Sequence, residues 1–101
     1  MRTSLPDERS LLMKSSTTAE FWECYSRLPP HIKRLARRTY RIWAQDPNHK
    51  SLHFKKIGRV WSARIGLHYR ALGLLKGDVV EWFWIGAHDE YDRILRSGTM
   101  Q

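Results

Sequence analysis

The chain changes its hydrophobic period once, near residue 50, and that change restricts its fold more than any other feature. Upstream, apolar residues recur at helical spacing: Phe21, Cys24, Tyr25 and Leu28 fall at i, i+3, i+4 and i+7. The preceding Thr17-Thr18-Ala19-Glu20 has the pattern of a capping box, with Thr17 as N-cap and Glu20 reaching back. Pro29-Pro30 closes this helix and opens the next, because proline is tolerated in a first helical turn. Ile32, Leu35, Ala36, Ile42 and Trp43 give the second helix an apolar face, and Lys33, Arg34, Arg37, Arg38 and Arg41 line its other side. Asp46-Pro47-Asn48 stops it. The short connection predicts an antiparallel helical hairpin.

Downstream the pattern alternates with period two. Residues 52–57 read as a short strand, followed by a turn at Gly58-Arg59. In residues 60–66, Trp61, Ala63 and Ile65 share one face, and Ser62 and Arg64 the other. Tyr69, Ala71, Gly73 and Leu75 alternate with Arg70, Leu72 and Leu74, and Lys76-Gly77-Asp78 is a hairpin turn. Residues 79–85 are apolar on both faces, as in a strand with neighbours on either side. Gly86 ends this strand, and residues 89–95 form a last helical turn. The expected architecture is α+β: an N-terminal helical hairpin packed on a four-stranded antiparallel sheet. Residues 1–16 are expected to be an extension or a first short strand, 17–96 the single domain and 97–101 a tail; translation could also start at Met13.

At 101 residues the chain suits one core, and 42% hydrophobic residues mark it as foldable. Five Trp, four Tyr and three Phe supply large buried area per residue. The single cysteine, Cys24, excludes an internal disulfide and fits a reducing, cytoplasmic setting. It lies on the apolar stripe of the first helix, as core filler rather than a nucleophile. No apolar run reaches the roughly 18–20 residues of a membrane span. The N-terminus lacks the apolar stretch of a signal peptide, so no membrane partner is expected.

The net charge is +8, from 18 basic and 10 acidic residues. Its distribution is one-sided: thirteen Lys or Arg and one acid, Asp46, lie between Arg27 and Lys76. Between Gly77 and Asp92 there are five acids and no Lys or Arg. A basic block of this kind implies a polyanionic partner, nucleic acid or an acidic protein segment.

Metal binding has little support, since His49 and His53 straddle a loop–strand boundary with no cysteine pair beside them. No Gly-rich phosphate loop or nucleophile elbow occurs. Lys55, Lys56, Arg64, Arg70, His88 and Tyr91 come from successive strands and the end of the last one. Strands about 5 Å apart can bring them onto one surface. Together such groups supply a proton acceptor, cationic donors and a proton donor, the set that cuts RNA through its own 2′-hydroxyl without a metal or cofactor. Spacing alone favours the plainer reading, ordinary phosphate-contact or solvent-facing residues.

Three segments resemble the sheet of the RelE/ParE toxin superfamily of type II toxin–antitoxin systems, in its RelE-like branch: Ser51-Leu52-His53-Phe54-Lys55-Lys56, Tyr69-Arg70-Ala71-Leu72-Gly73, and residues 84–92, Trp-Ile-Gly-Ala-His-Asp-Glu-Tyr-Asp. The hairpin break at Leu28-Pro29 and the helix end at Asp46-Pro47 resemble it too. The resemblance covers roughly residues 19–95 and implies a small basic endoribonuclease that cuts mRNA on the ribosome. It also implies that an antitoxin protein masks the basic surface. ParE-type relatives share the fold but inhibit DNA gyrase, and a non-catalytic basic binding protein is a further reading. By the resemblance, Arg70 stabilises the phosphate and Arg64 falls near a sheet lysine, while another lysine position falls on Ser62. His88 is the general acid or base, since histidine changes charge in the physiological range. Tyr91 stacks on a base or assists proton transfer, and Lys55, Lys56 and Arg59 hold RNA backbone.

Overall fold

The computed structural model describes residues 14–96. The expected α+β architecture is present: a helical hairpin covers one face of an antiparallel meander, and a short C-terminal helix covers part of the other. The strands are β1 (Lys14–Thr17), β2 (Lys55–Ile57), β3 (Val60–Ile65), β4 (Tyr69–Lys76) and β5 (Val79–Ala87). The helices are α1 (Ala19–Ser26), α2 (Pro30–Gln45) and α3 (His88–Arg96), with a 3-10 turn at Lys50–Leu52. Residues 1–13 and 97–101, where most of the expected extension and the tail fall, lie outside the described residues. No helix of the described residues is long and apolar enough to cross a membrane.

The sheet has five strands rather than four, in the order β1-β5-β4-β3-β2. The addition is β1, which runs parallel to β5 with Lys14 opposite Val79 and Thr17 opposite Trp82. Its sequence, KSST, has no apolar alternation to announce a strand. Its pairing is carried by backbone groups, helped by Lys14 N donating to Asp78 O at 2.7 Å. This strand also moves the helix cap. Thr17 is committed to the ladder, and its hydroxyl accepts from Trp22 Nε1 at 2.8 Å. Thr18 is therefore the N-cap, its Oγ1 accepting from Phe21 N at 3.1 Å. The expected box between Thr17 and Glu20 does not form.

The helices bury the face that the 3.6-residue period predicts. Leu28, Ile32, Ala36 and Trp43 pack with Ala63, Ile65, Ala71, Val80, Trp82 and Ile85 in one core. Trp43 meets Trp82 edge-on at 5.5 Å and Phe54 at 5.9 Å. The Nε1–H groups of both tryptophans are buried without a conventional acceptor. Edge-to-face rings allow such an N–H to lie toward a neighbouring π face. Fully burying a side chain of this kind contributes about 1.5–3 kcal/mol, so this aromatic knot is a main source of stability. Cys24 packs against the same core, as expected.

Two local departures shape the other face. Residues 52–57 are not one strand: His49 Nδ1 accepts from Ser51 N and the Ser51 hydroxyl, winding Lys50–Leu52 into a 3-10 turn. His53 follows with φ 44°, a left-handed conformation, and β2 begins only at Lys55. In β5 the register slips: Leu72 faces Trp84 while Gly73 faces Trp82, leaving Phe83 as an extra residue. This bulge breaks the alternation. Val80 and Trp82 face the hairpin, Phe83 and Trp84 face away, and Ile85 faces the hairpin again.

Candidate functional site

The face turned away from the hairpin is built by strand parity. Arg64 lies opposite Arg70 across β3 and β4, and Arg70 lies opposite Gly86 across β4 and β5. Side chains in register on adjacent strands share a face, so both guanidinium groups emerge side by side. The β2–β3 pairing ends with Lys55 opposite Ser62, and His53, just before β2, meets Arg64 through its side chain. A row His53–Arg64–Arg70–Gly86 thus crosses the sheet, with Lys55–Ser62–Leu72–Trp84 as the next row.

The contacts fix each member. Arg64 Nε donates to Gly66 O at 3.0 Å, and its Nη1 lies 3.2 Å from His53 Nε2. Arg70 Nη1 donates to the fully buried Ser62 hydroxyl at 3.0 Å. The Arg70 guanidinium also rests 5.0 Å above the Tyr91 ring. Ser62, which the resemblance places at a lysine position, is therefore an anchor for Arg70. Like charges directly opposite on neighbouring strands repel. Among the described residues neither arginine has a carboxylate within ion-pair distance. An anion laid across the row would relieve that repulsion.

Helix α3 closes the row at its Gly86 end. It starts immediately after β5, with His88 N donating to His68 O at 2.7 Å. Its first turn carries Asp89 and Glu90 and its last turn Arg93 and Arg96, each favourable to the helix dipole. The acids that crowd His88 in the sequence thus have a structural reason to be there. Tyr91 and Ile94 face inward onto Val60, Leu72, Leu74, Phe83 and Trp84. His88 is exposed, stacks on Tyr91 at 5.6 Å and places Nε2 3.4 Å from Asp92 Oδ2. Gly86 cannot carry a side chain, since a Cβ there would lie 2.6 Å from the Trp84 ring and 3.1 Å from Glu90 Oε1.

The residues expected from sequence therefore separate. Arg64, Arg70, His88 and Tyr91 converge. Tyr91, at 5% exposure, is buried between Arg70, His88 and the sheet, so its ring is not open to a base in this arrangement. Lys55 lies one row away on the same face, by its pairing with Ser62. Lys56, paired with Trp61, belongs to the opposite face, and Arg59 lies in the β2–β3 turn at the far end of β3 from Arg64. Sequence reasoning passed over His53, weighing it only as a metal ligand with His49. The two histidines serve different partners, Arg64 and Ser51, and no metal-binding group of three His, Cys, Asp or Glu forms among the described residues. On the other face, an apolar cleft of about 510 Å³ opens between hairpin and sheet, lined by Trp22, Tyr25, Tyr40 and Trp82 among others. It holds none of the clustered site residues.

No protein-family model and no curated protein sequence matches the chain. Solved structures do match. The RelB–RelE antitoxin–toxin complex from Methanococcus jannaschii aligns with TM-score 0.59 and 20% identity, over 77% of this chain and 96% of that one. The YoeB/ParE toxin from Agrobacterium tumefaciens aligns with TM-score 0.60 and 19% identity, over 75% and 99%. The RelBE2 toxin–antitoxin complex from Mycobacterium tuberculosis aligns with TM-score 0.59 and 17% identity, over 75% and 91%. The helical hairpin, the meander and the row of basic side chains across it are thus carried on the fold of the RelE- and ParE-type toxins.

Proposed function

We propose that the chain is the toxin of a toxin–antitoxin pair and a metal-independent endoribonuclease that cleaves mRNA on the ribosome, inhibiting translation. The observation that carries this reading is the pair Arg64 and Arg70, side by side and, among the described residues, without a carboxylate partner, next to an exposed histidine. Two guanidinium groups suit the charge that develops on a phosphate under attack. His88 stands at the edge of the pair, where a leaving oxygen would need a proton. The antitoxin partner is the reading supported by two of the matched structures above, which are toxin–antitoxin complexes. Lys55, on the same face, would hold the RNA backbone.

The test is expression in growing cells, with mRNA 5′ ends mapped for the unaltered chain, Arg70→Ala and His88→Ala. Cuts within translated codons that fall by about 10²-fold or more in each variant support the nuclease, in line with the loss of one transition-state donor or one acid–base group. Growth arrest with intact mRNA and a DNA-damage response would replace this reading with gyrase inhibition, which needs no chemistry from His88. Absence of any effect on growth or mRNA would leave a basic binding protein.

A further inference from the structure

We infer that His53 is the proton acceptor of the site, held in readiness by Arg64; this role rests on the nuclease reading above. Guanidinium nitrogen can only donate a hydrogen bond. The 3.2 Å contact between Arg64 Nη1 and His53 Nε2 therefore requires Nε2 to present its lone pair, with the ring proton on Nδ1. His88 is held in the opposite sense. Its Nε2 faces Asp92 Oδ2 at 3.4 Å, a group that can only accept. One histidine beside the Arg64–Arg70 pair thus faces a donor and the other an acceptor. Opposite surroundings of this kind suit two imidazoles to opposite roles, one taking a proton and the other giving it.

The backbone adds an independent observation. His53 is the one non-glycine residue with positive φ among the described residues. Residues held in sparsely populated conformations gather at functional sites, where the surroundings must enforce them. Here the left-handed turn ends the 3-10 segment and brings the imidazole to Arg64 beside β2, the edge strand of the sheet.

The chemistry balances with these two groups. A phosphate entering the row draws Arg64 Nη1 away from His53 and uncovers the Nε2 lone pair. Nε2 takes the proton of the ribose 2′-hydroxyl. The 2′-oxygen forms a bond to phosphorus while the bond from phosphorus to the 5′-oxygen breaks. The departing 5′-oxygen receives a proton from His88 in its imidazolium form, which is left neutral. The products are a 2′,3′-cyclic phosphate and a 5′-hydroxyl, and the proton lost by one histidine equals the one gained by the other.

The test uses His53→Gly, which suits a left-handed backbone and removes only the imidazole. Cleavage of ribosome-bound mRNA is followed under single turnover, with and without imidazole in the buffer, and Tm is measured for each protein. The expected result is a Tm no lower than that of the unaltered chain, a rate reduced at least about 100-fold, and partial recovery with added imidazole. His53→Gly cleaving at the unaltered rate would overturn the role and leave the nuclease reading intact. Loss of activity without recovery by imidazole, and with the pH profile unchanged, would also overturn it, making His53 a support for Arg64. No cleavage by the unaltered chain would overturn the nuclease reading and this role together.

Discussion

Tyr91→Ala tests how α3 is attached. The ring is 5% exposed, carries the Arg70 guanidinium and stacks on His88. Truncating a buried aromatic to alanine costs about 3–5 kcal/mol when the whole protein bears the loss. Each kcal/mol lowers Tm by roughly 4–8 °C in a domain of this size, so the full cost corresponds to roughly 12–40 °C. The attachment of α3 limits that transfer. Among its described side chains Tyr91 and Ile94 pack in the cluster on this face of the sheet, and its nine residues fall short of the roughly 12–15 at which an isolated helix becomes even marginal. Without Tyr91 the helix should undock and unravel at a cost below that of unfolding the sheet. Hydrogen exchange is the assay. Amides of residues 88–96 should lose protection while those of β4 keep it, with a Tm decrease under about 12 °C, the lower bound above. Protection lost equally in α3 and β4, with the full Tm decrease, would refute the reasoning, as would α3 amides that stay protected.

Three further variants test the frame. Thr18→Ala should cost about 0.5–2 kcal/mol by removing the N-cap of α1, with Thr17→Ala milder in a paired denaturation experiment, since Thr17 Oγ1 meets only the half-exposed Trp22 indole. Gly73→Ala would place a Cβ 2.7 Å from Val80 Cγ1 and 3.0 Å from Trp82 Cε3, beside the bulge. Overpacking of this kind costs about 1–3 kcal/mol, read as a shift in the urea midpoint at constant m-value.

The period change at residue 50 was enough to read the hairpin and the meander, because both bury one face and the burial writes itself into the spacing. The turn at Gly77 and the apolar face of α2 were legible for the same reason. The β1 pairing was not, because a backbone ladder between KSST and β5 asks nothing of the side chains. Nor was the bulge, since Trp82, Phe83, Trp84 and Ile85 form a continuous apolar run that fits either register. Within the site, Arg64 and Arg70 could be placed by alternation alone. The burial of Tyr91 depends on where α3 folds back, and the meeting of His53 with Arg64 depends on a left-handed residue. Spacing along the chain carries no trace of either.

The parallel pairing of β1 with β5 also sets a timetable. The hairpins from β2 to β5 join neighbours in sequence and can close early. β1 must wait for a partner far along the chain, a contact with a larger loop-closure cost. During synthesis β1 is made before the meander, yet it has no strand to join until β5 emerges. The outer edge of β5 and the last wall of the site, α3, are both completed only after the rest of the meander is made. A nascent copy therefore cannot set its basic row beside His88 until α3 has emerged, and any partner that recognises the finished fold must wait for that step.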